Sequence, residues 1–135
     1  MNSETTVVIL TFNEEIHVKR CIESVSPLTN EIVVVDSYST DDTCDLAVSC
    51  GAKVLQNTFI NQADQFQWAM DNCGIETKWV LRVDADETID STMVHNIKDF
   101  IANDGFGHNA GILHRKHIFL GKWVKHGGRY PLPML

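Results

Sequence analysis

The sequence predicts an α/β domain, a three-layer α/β/α arrangement in which helices cover both faces of a mostly parallel sheet. Two observations predict it. The runs TVVIL at Thr6–Leu10 and EIVVV at Glu31–Val35 are unbroken stretches of β-branched and aliphatic residues, as expected of strands buried on both faces. The segments between such runs carry apolar residues at helical spacing, and this alternation calls for right-handed crossovers joining parallel strands.

Each element has its own warrant. After the first strand, Val18, Cys21, Ile22 and Val25 follow the i, i+3, i+4, i+7 rule of a helix with one apolar face, and Pro27 follows them. The second strand ends at Asp36. Thr40 or Asp41 caps a second helix with Thr43, Leu46, Ala47 and Cys50 inward, and Gly51 ends it at the position that favours positive φ. Lys53–Leu55 is a short third strand. Phe66, Ala69, Met70 and Cys73 form a third helix face, closed by Gly74. Lys78–Val83 (KWVLRV) is a fourth strand ending at Asp84. Asp90 or Ser91 caps a fourth helix with Met93, Val94, Ile97 and Ile101 inward, Gly105 and Gly107 break it, and Gly111–His114 is a candidate fifth strand. The length of 135 residues, 44% of them hydrophobic, suits one domain, residues 1–135, with a real core.

The charge is uneven. The chain has 18 acidic and 11 basic side chains, a net charge of −7, which argues against a general nucleic-acid binder. All the acids lie at or before Asp104. Residues 105–135 hold Arg115, Lys116, Lys122, Lys125 and Arg129, with His108, His114, His117 and His126. This basic strip is either an ordinary solvated face or a surface for anionic phosphate or lipid. Met1–Thr6 is polar and Val7–Leu10 is too short for a signal core, and no stretch is long enough to span a membrane. Cys21, Cys44, Cys50 and Cys73 make no CxxC pair, so reduced, buried thiols in a cytoplasmic protein are expected.

In sheets of this kind ligands bind at the carboxyl ends of the strands, and here those ends are polar. Asp84 and Asp86 follow strand four with one residue between them, so both carboxylates can meet one hard cation; Mg²⁺ and Mn²⁺ take such oxygens together with substrate phosphates. Taken alone a D-x-D is short and common. Asp36 can accept hydrogen bonds from a base or ribose, or cap the turn through Ser37–Thr40. In Thr11-Phe12-Asn13-Glu14-Glu15, Phe12 can stack on a ring, while Asn13 is expected to cap helix one, with the acids suiting its positive end. There is no GxGxxG, no GxxxxGK[ST] and no nucleophile elbow, which turns the reading away from dinucleotide dehydrogenases, P-loop enzymes and serine or cysteine hydrolases. A signalling receiver would need a phosphoacceptor at the end of strand three, where Leu55-Gln56 stands.

TVVILTFNEE, EIVVVDSYSTDDT and WVLRVDADE, in this order and spacing, resemble the nucleotide-binding half of a family 2 glycosyltransferase of the GT-A (Rossmann-like) fold. Arg115–Pro131 is similar to a subgroup of bacterial enzymes that add glucose to the lipopolysaccharide core. The resemblance implies a sugar transfer, with inversion, from a nucleoside-diphosphate sugar of the UDP-hexose kind to a glycan or lipid-linked acceptor in cell-envelope polysaccharide or lipopolysaccharide synthesis. It implies that Thr11 and Phe12 contact the base, Glu14 the nucleoside side, Asp36 the uracil and Asp84 the ribose or sugar, and that Asp86 holds Mg²⁺ or Mn²⁺ on the diphosphate. It places the protein in the cytoplasm, with peripheral contact to the anionic inner face of the membrane. Family members are about twice as long, so the chain is expected to stop before the acceptor-binding half, with its apolar tail prone to self-association. The catalytic base is unknown; His117 and His126 are the substitutes on offer. The alternative is a non-catalytic nucleotide-sugar-binding remnant or scaffold module.

Overall fold

The computed structural model describes residues 4–103. They run β1 (Thr5–Thr11), α1 (Val18–Val25), β2 (Glu31–Asp36), α2 (Thr43–Ser49), β3 (Lys53–Gln56), α3 (Gln62–Asn72), β4 (Trp79–Asp84) and α4 (Ser91–Ala102). The strands form one parallel sheet in the order β3-β2-β1-β4. The order first grows outward from β1 through β2 to β3, then returns to the other side of β1. The gap between the carboxyl ends of β1 and β4 is therefore the switch point where ligands of such sheets bind.

The unbroken apolar runs do what their composition dictates. Val7, Val8 and Ile9 of β1 and Val34 and Val35 of β2 lose all solvent exposure, because strand parity sends them alternately into two cores. On one face Val7, Ile9, Ile32, Val34, Leu81 and Val83 pack with α1, α2 and α4. On the other, Val8, Val33 and Val35 pack with Ala69 of α3 and with Cys73 at its C-cap. The crossover from β3 back to β4 must pass on the opposite side from those moving outward, which is why α3 lies alone on its face. Trp79 of β4 adds an edge-to-face contact with Phe100 of α4, ring centroids 5.1 Å apart.

Most helix signals hold. Val18, Cys21, Ile22 and Val25 are all fully buried, Gly51 and Gly74 have φ of +92° and +67°, and the Asp90 side chain accepts from Met93 N at 2.8 Å to cap α4. The N-cap of α2 is Asp42, which makes no side-chain cap bond, and neither Thr40 nor Asp41 as expected; Asp41 accepts from Thr43 N at 3.0 Å and from the Thr43 hydroxyl just before the helix.

Three further expectations are corrected. The inner face of α3 runs through Gln65, Ala69 and Cys73, with Phe66 beside it, while Met70 is exposed; a polar residue occupies the position the periodicity gave to an apolar one. Asn13 does not cap α1, which starts only at Val18. Asn13 has φ +51° and its side chain turns to the next loop. The four cysteines are free, but only Cys21 and Cys73 are buried; Cys44 and Cys50 are half-buried. Among the described residues no helix is long and apolar enough to cross a membrane. Gly105, Gly107, Gly111–His114, the basic strip and the tail expected to self-associate lie outside the described residues.

Candidate functional site

The loops that follow β1 and β2 are laced together. Asn13 N donates to Ser39 Oγ at 2.7 Å, and Thr40 N to Asn13 Oδ1 at 2.8 Å. Glu14 N donates to Thr43 Oγ1 at 2.8 Å, and Glu15 N to Asp41 Oδ2 at 3.2 Å. The left-handed backbone at Asn13 and at Tyr38, φ +61°, is suited to short polar side chains that bond locally. The strain at Tyr38 is held by the turn that Asp36 closes.

Asp36 is the knot of this assembly. Its Oδ1 accepts from the Thr11 hydroxyl at 2.6 Å and the Ser39 hydroxyl at 2.5 Å; its Oδ2 accepts from Ser39 N at 2.7 Å and Gln56 Nε2 at 3.2 Å. The residue has 0% exposure. Burial alone would raise its carboxyl pKa, but the hydrogen bonds from Ser39, Thr11 and Gln56 outweigh burial and hold it below the usual Asp value. The Cys44 thiol, pushed up to about 11 by burial and by its bond to this carboxylate, stays protonated. Asp36 thus caps its turn, each carboxylate oxygen engaged by two donors of neighbouring loops. The Thr11 side chain, 4% exposed, gives its hydroxyl to Asp36, and its carbonyl accepts from Ser37 N at 2.9 Å.

Asp41 is also held below the usual value, the hydrogen bonds from the Thr43 hydroxyl, Thr43 N and Glu15 N outweighing burial. A carboxyl with a depressed folded pKa stabilises the fold above its unfolded value, about 3.9 for Asp, and that contribution is lost as the pH falls through the lower folded value. The urea midpoint should therefore stay level from pH 7 to about 4 and fall below it, less steeply in Asp36→Asn. A midpoint independent of pH between 2 and 5 would contradict this assignment.

The remaining expected residues reach the surface. Phe12 is 55% exposed at the end of β1. Glu14 is half-buried, with Oε1 2.9 Å from His17 Nδ1. Beyond β4 a tight turn is closed reciprocally by Glu87 N donating to Asp84 O and Asp84 N to Glu87 Oε1, each at 2.9 Å. Ala85 is buried in the core, which leaves Asp84 half-exposed and Asp86 exposed on either side of it. The turn is fastened to α1: the Cys21 thiol donates to Asp84 O at 3.6 Å, and Ile89 N to Ser24 Oγ at 3.2 Å. Burial, with the Glu87, Asp84 and Asp86 charges adding to it, pushes Cys21 up to about 12, so this sulfur is a neutral strut.

Asp84 and Asp86 offer hard oxygen donors of the type Mg²⁺ and Mn²⁺ take. Among the described residues no group of three or more His, Cys, Asp or Glu is disposed to hold a cation. The donor set fits a cation that completes its shell with diphosphate oxygens and water, the usual habit of Mg²⁺, and does not fit a dedicated protein cage. Phe12 and Glu14 follow β1, Asp36 ends β2, and Asp84 and Asp86 end and follow β4, so the expected residues all stand at the carboxyl edge of the sheet; Phe12 and Asp86 are exposed, Glu14 and Asp84 half-exposed, and Thr11 and Asp36 buried. His117 and His126 lie outside the described residues.

Sequence reasoning missed Gln65, 1% exposed on α3. Its Nε2 donates to Asn57 O at 3.0 Å and Ser37 Oγ at 3.1 Å, and its Oε1 accepts from Asn57 Nδ2 at 2.8 Å. The available signal was its spacing, four residues before Ala69 and eight before Cys73.

Comparison with known proteins agrees with this geometry. The family model described as Glycosyl transferase family 2 matches residues 6–133. An uncharacterized glycosyltransferase of Rickettsia typhi is 38% identical over 95 residues, 70% of this chain and 32% of that protein. The lipopolysaccharide core biosynthesis glycosyltransferase LpsC of Rhizobium meliloti is 32% identical over 99 residues, 70% of this chain and 36% of LpsC. The chain thus spans about a third of the length of these relatives. Among solved structures, glucosyl-3-phosphoglycerate synthase of Mycobacterium tuberculosis in complex with UDP is 27% identical, with a TM-score of 0.56 over 63% of this chain and 34% of that one. Its complex with Mn²⁺, UDP and glucosyl-3-phosphoglycerate matches with a TM-score of 0.63 at 20% identity, over 84% of this chain and 45% of that one. The parallel sheet and its helices are those of the GT-A fold, and with a family model matched from residue 6 to residue 133, the chain belongs to glycosyl transferase family 2.

Proposed function

We propose that the chain binds a nucleoside-diphosphate sugar, a UDP-hexose, across the carboxyl edge of its sheet, and that it is the donor-binding part of an inverting glycosyltransferase acting on a glycan or lipid-linked acceptor in cell-envelope polysaccharide or lipopolysaccharide synthesis. One observation supports this reading: an exposed aromatic ring, Phe12, follows β1, and the Asp84–Asp86 carboxylates stand at the end of β4, the two strands that flank the switch point of a parallel sheet. The likeness to LpsC supports the acceptor class, and the UDP and Mn²⁺ complexes of the mycobacterial synthase support the donor and the cation.

The residues divide the work by chemistry. Phe12 presents an apolar face for a base to stack on. Asp84, half-exposed at the strand end, accepts from ribose or sugar hydroxyls. Asp86, exposed one residue beyond the buried Ala85, would hold Mg²⁺ or Mn²⁺ with Asp84 beside it. When bound, the cation offsets the negative charge that grows on the departing diphosphate. Glu14 lines the nucleoside side. Thr11 and Asp36, at the ends of β1 and β2, stand on the base side and fasten the loops around it. On this reading the protein works in the cytoplasm, in peripheral contact with anionic lipid.

The test is release of UDP from UDP-glucose and UDP-galactose by the full chain with Mn²⁺. Slow release from one donor, abolished by EDTA, is expected. Binding of both donors with no release over hours would leave a binding module without chemistry, and binding of neither would overturn the reading.

A further inference from the structure

We propose that Arg82 binds the diphosphate of the nucleotide sugar, as a second positive charge beside the cation that Asp86 would hold. The proposal rests on the donor-site reading above and adds a residue to it.

The strands carry two basic residues, Lys53 on β3 and Arg82 on β4, and α3 draws them to opposite edges of the sheet. Lys53 Nζ donates to Cys73 O at 3.0 Å, at the C-cap of α3. Arg82 Nη2 donates to Gln62 Oε1 at 2.7 Å, in the first residue of the same helix. The height of that residue can be read from Gln65, which donates to Ser37 Oγ at 3.1 Å and to Asn57 O at 3.0 Å, the residues that directly follow β2 and β3. Gln62 precedes Gln65 by about 4.5 Å of helix rise, on the side away from Cys73, and so stands at the carboxyl edge. The backbone of Arg82 lies two residues, about 7 Å, short of the end of β4, and its long side chain spans that distance. The Phe66 ring supports it on the way, its centroid 5.8 Å from Cζ.

A guanidinium delivered to this edge has donors to spend. Gln62 takes one of its five N–H groups, and among the described residues no carboxylate pairs with it. By strand parity Arg82 and Asp84 stand on the same face of β4, so the guanidinium and the cation-binding carboxylates come from one strand end. A diphosphate brings several negative charges to an edge where Glu14, Asp36, Asp84, Asp86 and Glu87 already stand. One divalent cation leaves that edge in excess negative charge, and an arginine that no carboxylate claims offsets it. Its planar fork matches two phosphate oxygens at once.

The experiment is calorimetry of UDP and uridine binding to the full chain, with Mn²⁺ and with EDTA, for the parent, Arg82→Gln and Arg82→Lys, uridine being measured by displacement of UDP. Arg82→Gln should weaken UDP about tenfold to a hundredfold, the worth of charge-assisted hydrogen bonds. It should do so in both conditions, leave uridine where it was, and keep the tightening by Mn²⁺. Arg82→Lys retains the charge without the fork and should recover part of the loss. A residue that only braces α3 against β4 would, when changed, lower Tm and weaken UDP and uridine alike, and that result overturns the proposal. Parental UDP affinity in Arg82→Gln overturns it as well. A parent that binds no UDP in either condition removes the donor-site reading itself.

Discussion

Asp86→Ala should abolish the effect of Mn²⁺ on UDP binding. The side chain is exposed on a turn whose backbone is closed by Asp84 and Glu87, so the fold should survive with an unchanged Tm. Charge-assisted contacts of this type contribute roughly 1.5–3 kcal/mol, so UDP affinity in Mn²⁺ should drop about tenfold to a hundredfold, to the level the parent shows in EDTA. Titration of both proteins with and without EDTA checks it. Because the described residues supply no third protein ligand nearby, the parent should bind Mn²⁺ weakly without nucleotide and far better with it. An Asp86→Ala variant that keeps the full metal effect would move the cation to other residues.

Asp36→Ala should do the reverse, lowering stability far more than it alters the metal effect. The substitution strands the buried Thr11 hydroxyl and takes the acceptor from both Ser39 donors and from Gln56 Nε2, which lie nearer solvent. Leaving buried donors unpaired costs about 1–3 kcal/mol each before relaxation, so a net loss of about 3 kcal/mol is expected, on the order of 10–20 °C in Tm for about a hundred residues. Asp36→Asn keeps the shape and part of the bonding and should fall between. Thermal unfolding of the three proteins checks the order. Equal Tm values would mean that the turn does not depend on this carboxylate.

The parts of the fold legible in the sequence were those governed by one dominant force. TVVIL and EIVVV could only be strands buried on both faces, and Val18, Cys21, Ile22 and Val25 left one orientation for α1. Gly51 and Gly74 marked helix ends because positive φ is inexpensive only for glycine. The placing of Asp84 and Asp86 at the end of β4 was legible because KWVLRV reads as a buried strand that stops at Asp84. What was not legible depended on long-range polar pairing. Asn13 resembles a cap to its own helix, yet its partner is Thr40, a residue of another loop. Asp36 stands at a strand end as a ligand-binding acid would, and its bonds to Thr11, Ser39 and Gln56 join residues that no local spacing links. Gln65 breaks the apolar pattern of α3 because its amide satisfies Asn57 and Ser37, contacts that no local spacing announces.

The central claim, a metal-assisted UDP site at the switch point, is tested most directly by calorimetry of UDP binding to the purified full chain with Mn²⁺ and again with EDTA. The account predicts saturable binding of one UDP per chain, at least about tenfold tighter with Mn²⁺. Equal affinity in the two conditions, or no binding at millimolar UDP, would contradict it.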